Sequence, residues 1–259
     1  MSESSLIPER IESRDAIEGQ IVMPFYIVCD VSLSMESDIG ALVEALNEMV
    51  GQITSSPVAN DLTMIGVITF HSDGWVHIPL NRASRIARPM SLPKVGGAGT
   101  SYDAALHALH DAMKADRKRL FDEGRRVYRS CVFFLTDGEP NTPDDSSYRQ
   151  TMRSLFGYDA ETGKGNKAFP YIVAYGFRDA TATHLASLAF PDFGPKRGEW
   201  YLVKSTSVRD VLMAILPVLG QTIVNSGLTA GYGQPQLAVQ RPPDGVIAQF
   251  GEAGDFPGE

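Results

Sequence analysis

The sequence is poor in cysteine, in long apolar segments and in positive charge, and each shortage excludes a class of protein. Its 259 residues contain two cysteines, Cys29 and Cys131, too few for a disulfide-stabilised scaffold. Both lie in apolar segments, so we expect buried free thiols. No segment approaches the roughly 18 consecutive apolar residues of a membrane-spanning helix. With a net charge of −8, the chain lacks the cationic surface that a nucleic-acid backbone requires. We therefore expect neither a membrane nor a nucleic acid as its partner.

Motifs of several other protein classes are missing as well. No G-x-S-x-G sequence of a serine hydrolase lies near the apolar segments. The glycine-rich segments PKVGGAGTS and GKGNK do not match the phosphate-binding sequence G-x-x-x-x-G-K-[ST]. Residues 1–20 are polar and acidic and contain no apolar core of a signal peptide, so we expect a cytoplasmic protein.

Short apolar segments alternate with amphipathic segments over residues 21–227, which is typical of a mostly parallel sheet with helices on both faces. The apolar segments 62–70 and 75–80 are separated only by HSDG, which is too short for a parallel crossover. These two segments should form an antiparallel hairpin at the sheet edge. We therefore predict an α/β fold with a doubly wound, Rossmann-like sheet of about six strands and one antiparallel edge strand.

The remaining elements follow from the same patterns. Further strands are predicted at 21–29, 131–135, 171–177 and 200–203. Helices are predicted at 36–55, from Ser101 into the charged segment KADRKRLFDEGRR, at 182–190, and from Ser207 to about Asn225 with a stop at Gly227. Residues 228–259 are rich in glycine and proline, which favours a weakly ordered tail, with an added strand within 234–250 as the alternative.

Three polar clusters lie where the predicted sheet presents its carboxyl edge. Asp30, Ser32 and Ser34 follow the first strand, Thr100 precedes the second long helix, and Asp137 follows the strand at 131–135. Each cluster alone is explained by a helix cap or a turn. Together they suggest one crevice, because open α/β sheets bind ligands beyond the carboxyl ends of their strands.

The residue types in these clusters suit a hard divalent cation. Two neighbouring carboxylates repel each other unless a cation neutralises them, and the hydroxyls supply neutral oxygen ligands. An all-oxygen site of this kind favours Mg²⁺ or Mn²⁺. None of the five positions is a cysteine or histidine, which argues against zinc.

The same residues resemble the metal-ion-dependent adhesion site of a von Willebrand factor A (VWA) domain. The matching motifs are D-V-S-L-S at 30–34, Gly99-Thr100 and T-D-G at 136–138, and the resemblance covers roughly residues 22–225. The sequence FFLTDGEP, and the ITF strand with its hairpin, look most like bacterial TerY-like tellurite-resistance proteins. The resemblance implies a VWA domain over 21–227, between a polar extension at 1–20 and an acidic tail at 228–259.

The resemblance also implies a function and a role for each site residue. Ser32 and Ser34 would bind the cation directly, Thr100 would bind it in a ligand-competent state, and Asp30 and Asp137 would act mostly through water or hydrogen bonds. An aspartate or glutamate of a protein partner would complete the metal shell. The implied protein is a non-enzymatic interaction module, a scaffold in bacterial stress or tellurite-resistance signalling beside a protein kinase or phosphatase.

One position departs from the family pattern, since Leu33 stands where the family usually has glycine. We expect Leu33 to add an apolar rim to the site without straining the backbone. Two alternatives stay open. The same metal could serve phosphoester hydrolysis, with Glu36, Asp73 or Glu139 as general base. The tail could instead occupy the site as an internal ligand, through one of its acidic residues Glu252, Asp255 and Glu259.

Overall fold

A mixed eight-stranded β-sheet forms the centre of the fold in the computed structural model, which describes residues 19–91, 93–96, 99–141, 146–159, 161–203 and 207–255. The strands are β1 Ile21–Asp30, β2 Thr63–Phe70, β3 Gly74–Asn81, β4 Arg126–Val127, β5 Cys131–Thr136, β6 Tyr171–Gly176, β7 Glu199–Val203 and β8 Ile247–Glu252. The α-helices are α1 Ile39–Thr54, α2 Pro57–Leu62, α3 Tyr102–Asp122, α4 Ser146–Phe156, α5 Ala182–Leu188 and α6 Val208–Gly231.

The strands are ordered β3-β2-β1-β5-β6-β7-β8, with the short β4 paired to the start of β1. Strands β2, β1, β5, β6 and β7 are parallel, whereas β3 runs antiparallel to β2 at one edge. The predicted α/β fold, with its mostly parallel Rossmann-like sheet and edge hairpin, is confirmed. The chain builds outward from β1 to one side and from β5 to the other, so a crevice opens between their carboxyl ends.

Successive residues of β1 pack against opposite faces of the sheet, which makes the fold doubly wound. Phe25 and Ile27 lie in a buried cluster with residues of α1 and α6. Tyr26 and Val28 lie in a second cluster with residues of α3, α4 and α5. Both faces of the central strands are therefore covered, as the continuous apolar sequences predict. Both cysteines are buried free thiols on β1 and β5, as predicted.

The four predicted helices lie where the structure has helices, but their ends differ, most of all in the last helix. Ser101 caps α3 by accepting a hydrogen bond from the backbone N–H of Ala104. The predicted stop of the last helix at Gly227 is wrong, because α6 continues to Gly231. A Cβ at Gly227 would lie 2.8 Å from the Cα of Ala59, so this glycine allows α6 to approach α2 closely. Helices α2 and α4 were not predicted.

Among the described helices, α6 alone has the length and apolar composition of a membrane-spanning segment. In this fold it lies along α1 and α2, and its buried side chains contribute to the core on that face of the sheet. A core helix of a globular protein has the same composition, so composition alone carries no membrane assignment.

The C-terminal segment adds a second antiparallel edge to the sheet. Strand β8 pairs with β7, and Glu252 lies opposite Glu199. The alternative prediction of an added strand is therefore nearer the structure than a weakly ordered tail, although the strand lies at Ile247–Glu252 and extends beyond the predicted 234–250. Residues 256–259 lie outside the described part of the chain.

Candidate metal centre

Asp30 is the last residue of β1, and its carboxylate is almost completely buried at the carboxyl edge of the sheet. The backbone N–H of Ser32 donates to its Oδ1 at 3.0 Å. The hydroxyl of Thr136, at the end of β5, donates to its Oδ2 at 2.9 Å. Asp30 therefore links the loop after β1 to the end of the neighbouring parallel strand.

The two serines of this loop join the first carboxylate to the second. The hydroxyl oxygens of Ser32 and Ser34 are 3.0 Å apart, and Ser34 Oγ donates to Asp137 Oδ1 at 3.0 Å. Because the single proton of Ser34 goes to Asp137, the proton between the serines comes from Ser32. Ser32 is buried and Ser34 is exposed, so this row of oxygens reaches the surface at Ser34.

Thr100 reaches the same edge from the loop before α3. It is buried, and its carbonyl accepts the backbone N–H of Asn141 at 3.0 Å. Its Oγ1 lies 4.0 Å from the position that a Cβ on Gly138 would occupy, which places the hydroxyl beside the T-D-G segment. The structure thus brings all five predicted ligand residues to one edge of the sheet, with Asp30, Ser32, Ser34 and Asp137 in one hydrogen-bonded row.

The electrostatics of this edge disfavour two ionised carboxylates. Burial raises the pKa of Asp30 from its ordinary 3.8 to about 6, and the nearby charge of Asp137 acts in the same direction. Hydrogen bonds from Ser32 and Thr136 oppose this rise in the pKa without cancelling it. A cation placed among these oxygens would reverse the penalty, because it stabilises the ionised carboxylate.

The donor set suits the predicted cation. It offers hydroxyl oxygens between two carboxylates, which are the ligand atoms that Mg²⁺ and Mn²⁺ prefer. In the described part of the chain, histidine, cysteine, aspartate and glutamate side chains form no cluster of three or more that could hold a metal. A site here therefore depends on the serine and threonine hydroxyls, as the sequence motif implies.

Leu33 does not strain the backbone of the loop. It begins a 3-10 helix over Leu33–Met35, and Arg178 is the sole non-glycine residue with a positive φ among those described. The Leu33 side chain is 53% exposed, so it adds an apolar rim beside the serines, as expected.

Two residues of the site were missed by the sequence analysis as contributors of contacts. Thr136 binds Asp30, and Arg178 donates through Nη1 to Asp137 Oδ2 at 2.9 Å. Arg178 is the second residue after the end of β6, at the same edge as Asp137. The rule that selected Asp137, a polar residue just after a buried strand, would also have selected Arg178.

The geometry gives little support to the two alternative uses of the site, phosphoester hydrolysis and occupation by the C-terminal tail. The candidate bases Glu36, Asp73 and Glu139 are exposed, and none hydrogen-bonds to the five ligand residues. The internal-ligand hypothesis is wrong for Glu252 and Asp255, which pair with Arg197 near the start of β7. The start of β7 lies at the opposite end of the sheet from Asp30. Glu259 is outside the described residues.

Comparison with known proteins supports a VWA domain. The family model described as von Willebrand factor type A domain matches residues 25–139, which contain all five predicted ligand residues but less than half of the chain. No curated protein sequence matches the chain.

Solved structures share the fold at low sequence identity. The pilus adhesin SpaC from Lactobacillus rhamnosus GG aligns with a TM-score of 0.57 at 14% identity, over 80% of this chain and 31% of the adhesin. Proximal thread matrix protein 1 from the mussel byssus aligns with a TM-score of 0.51 at 17% identity, over 80% of this chain and 49% of the mussel protein. A second structure of the mussel protein has zinc in its metal-ion-dependent adhesion site (MIDAS) motif. It aligns with a TM-score of 0.50 at 18% identity, over 78% of this chain and 48% of the mussel protein. This chain thus spans half or less of these proteins.

Proposed function

We propose that this protein is a non-enzymatic VWA-type interaction module that binds Mg²⁺ or Mn²⁺ and, through the metal, a carboxylate of a protein partner. The observation that carries the proposal is the row of oxygens from Asp30 through Ser32 and Ser34 to Asp137. Thr100 lies beside the last of them. The family-model match over residues 25–139 supports the same assignment.

The proposed ligands are the five residues selected from the sequence. Ser32, Ser34 and Thr100 would supply hydroxyl oxygens, and Asp30 and Asp137 would supply negative charge next to them. The bound cation would give the site a positive centre that attracts an aspartate or glutamate of the partner. The exposed Leu33 would contribute an apolar contact at the rim of that interface.

Binding, and not catalysis, is favoured by the partners of the two serines. Their hydroxyls hydrogen-bond to each other and to Asp137, and neither is paired with a histidine that would activate it as a nucleophile. The resemblance to TerY-like proteins further supports a scaffold in tellurite-resistance or stress signalling, with a protein kinase or phosphatase as partner. That finer assignment rests on the motifs alone.

Isothermal titration of the purified chain with Mg²⁺ and with Mn²⁺ tests the proposal. We expect saturable binding of one ion that is lost in Asp137→Asn and weakened at least tenfold in Ser34→Ala. Asp111→Asn and Ser55→Ala are matched controls, because both residues are exposed and lie on α3 and after α1, away from the site. Absence of binding, or equal binding by Asp137→Asn, would refute a metal site at these residues.

Activity assays with phosphoester substrates distinguish the proposed interaction module from the alternative, a metal-dependent phosphoester hydrolase. We expect no metal-dependent turnover of p-nitrophenyl phosphate or of phosphopeptides by the wild-type protein. Turnover that disappears in Asp30→Asn would overturn the non-enzymatic assignment while leaving the metal site in place.

A further inference from the structure

Arg178 has an unusual backbone conformation at the candidate metal centre. Its φ is +54°, in the left-handed region that a residue with a Cβ adopts at a cost. Such conformations persist where surrounding contacts hold them, and they concentrate at functional sites. The function of Arg178 can therefore be inferred from the contacts that hold it in this conformation.

The guanidinium of Arg178 contacts three separate groups around the site. Nη1 donates to the carbonyl of Ser34 at 2.6 Å and to Asp137 Oδ2 at 2.9 Å, and Nη2 donates to the carboxylate of Asp38. The loop carrying Arg178 is itself fixed to the T-D-G segment, because the N–H of Asp179 donates to the carbonyl of Asp137 at 3.0 Å. One positive charge thus connects the loop after β6, the loop after β1 and the residue before α1.

The carboxylate of Asp137 is shared between two partners. Oδ1 accepts from Ser34 and Oδ2 accepts from Arg178. The side chain of Asp137 is 1% exposed, so the interaction between these two charges is little screened by water. Any cation that approaches the hydroxyl of Ser34 enters the field of the Arg178 guanidinium.

We propose that Arg178 is a built-in counter-charge that competes with the divalent cation for Asp137 and thereby weakens metal binding by the site. The inference rests on the proposed metal-binding function. When no cation is bound, Arg178 neutralises part of the charge of Asp137 and Asp38. When a cation binds near Asp137, the guanidinium repels it, so part of the binding free energy is lost to that repulsion.

Three variants separate this role from a purely structural one. Arg178→Gln replaces the guanidinium with a shorter, neutral amide. It should therefore bind Mg²⁺ about tenfold more tightly or better, the lower end of what a nearby unit charge does to a carboxylate equilibrium. Arg178→Lys keeps the charge and loses the fork, so its affinity should stay within about threefold of wild type. Arg197→Gln is the matched control, because Arg197 also pairs with two carboxylates but at the far end of the sheet.

Titration calorimetry with Mg²⁺ alone, at the same pH for every variant, gives the readout. Loss of structure cannot tighten metal binding, so tighter binding by Arg178→Gln supports competition. Equal or weaker binding by Arg178→Gln, or a large loss in Arg178→Lys, would show that Arg178 only holds the loops in place and would overturn the inference. If Arg178→Gln does not fold, a large loss of affinity in Arg178→Lys still overturns the inference. Absence of Mg²⁺ binding by wild type would refute the proposed function itself, which is a distinct outcome.

Discussion

The burial of Asp30 has a consequence for stability that can be measured without knowing the partner. The carboxylate is 1% exposed, and its pKa is about 6 in the folded chain, against 3.8 as its ordinary value. We predict that Asp30→Asn stabilises the cation-free protein at neutral pH, although it removes a residue of the proposed metal site. The amide keeps an oxygen for the Ser32 N–H and offers Thr136 a hydrogen-bond donor.

The sign and the size of the predicted stability change follow from proton linkage at Asp30. Between pH 4 and pH 6 the folded chain keeps the Asp30 proton, whereas the unfolded chain has already released it. The free energy of unfolding therefore falls as the pH rises through this range, and the loss is complete above pH 6. A pKa difference of roughly two units corresponds to about 3 kcal/mol. Asparagine does not titrate, so the variant should lack this loss.

Urea unfolding in EDTA at several pH values between 4 and 8 is the assay. The stability difference between Asp30→Asn and wild type should increase by about 3 kcal/mol from the acid to the neutral end. Saturating Mg²⁺ at pH 8 should stabilise wild type but not the variant, because only the folded wild-type site binds the ion. A difference that does not change with pH would refute the argument that burial raises the pKa of Asp30. Asp111→Asn, at an exposed aspartate, should show no such change.

Three further predictions concern backbone positions. Gly227→Ala should lower the free energy of unfolding by about 1–3 kcal/mol, because its Cβ would meet the backbone of Ala59 at 2.8 Å. Gly40→Ala should raise it by up to about 1 kcal/mol, since a Cβ there has nothing within 4 Å, and urea unfolding of both variants checks the contrast. Leu33→Gly should leave the Mg²⁺ affinity within about threefold of wild type in titration calorimetry, because Leu33 does not have a positive φ. A gain of tenfold or more in this variant would mean that the leucine obstructs the ion.

The parts of the fold that were predictable are those in which the local sequence and the tertiary structure agree. The continuous apolar segments at β1 and β5 predict strands buried on both faces, and the four-residue HSDG connection leaves an antiparallel hairpin as the feasible link between β2 and β3. The oxygen cluster was predictable for a similar reason. Parallel strands that are neighbours in the sheet place the residues that follow them at one edge, whatever their separation along the chain.

The errors arose where a long-range contact overrides a local signal. Gly227 is a helix stop by local preference, but in the structure it serves the close approach of α6 to α2. Strand β8 lies in a segment rich in glycine and proline, and it forms because β7 offers an unpaired edge. Arg178 differs from these two cases, because its place after a buried strand could be read from the sequence. Its contacts with Ser34, Asp38 and Asp137 could not, since the sequence does not show that the three surround one guanidinium.

The guanidinium at the site raises the question of whether it replaces the divalent cation altogether. The charge balance argues against replacement. Asp30, Asp38 and Asp137 carry three negative charges when ionised, and Arg178 supplies one positive charge, which its hydrogen bonds direct to Asp38 and Asp137. Asp30 accepts hydrogen bonds from Thr136 and Ser32, which are neutral groups, and its pKa is raised by burial first and by the charge of Asp137 second. Two net negative charges therefore remain for a divalent ion to balance, so Arg178 tunes the affinity of such a site without removing the need for the metal.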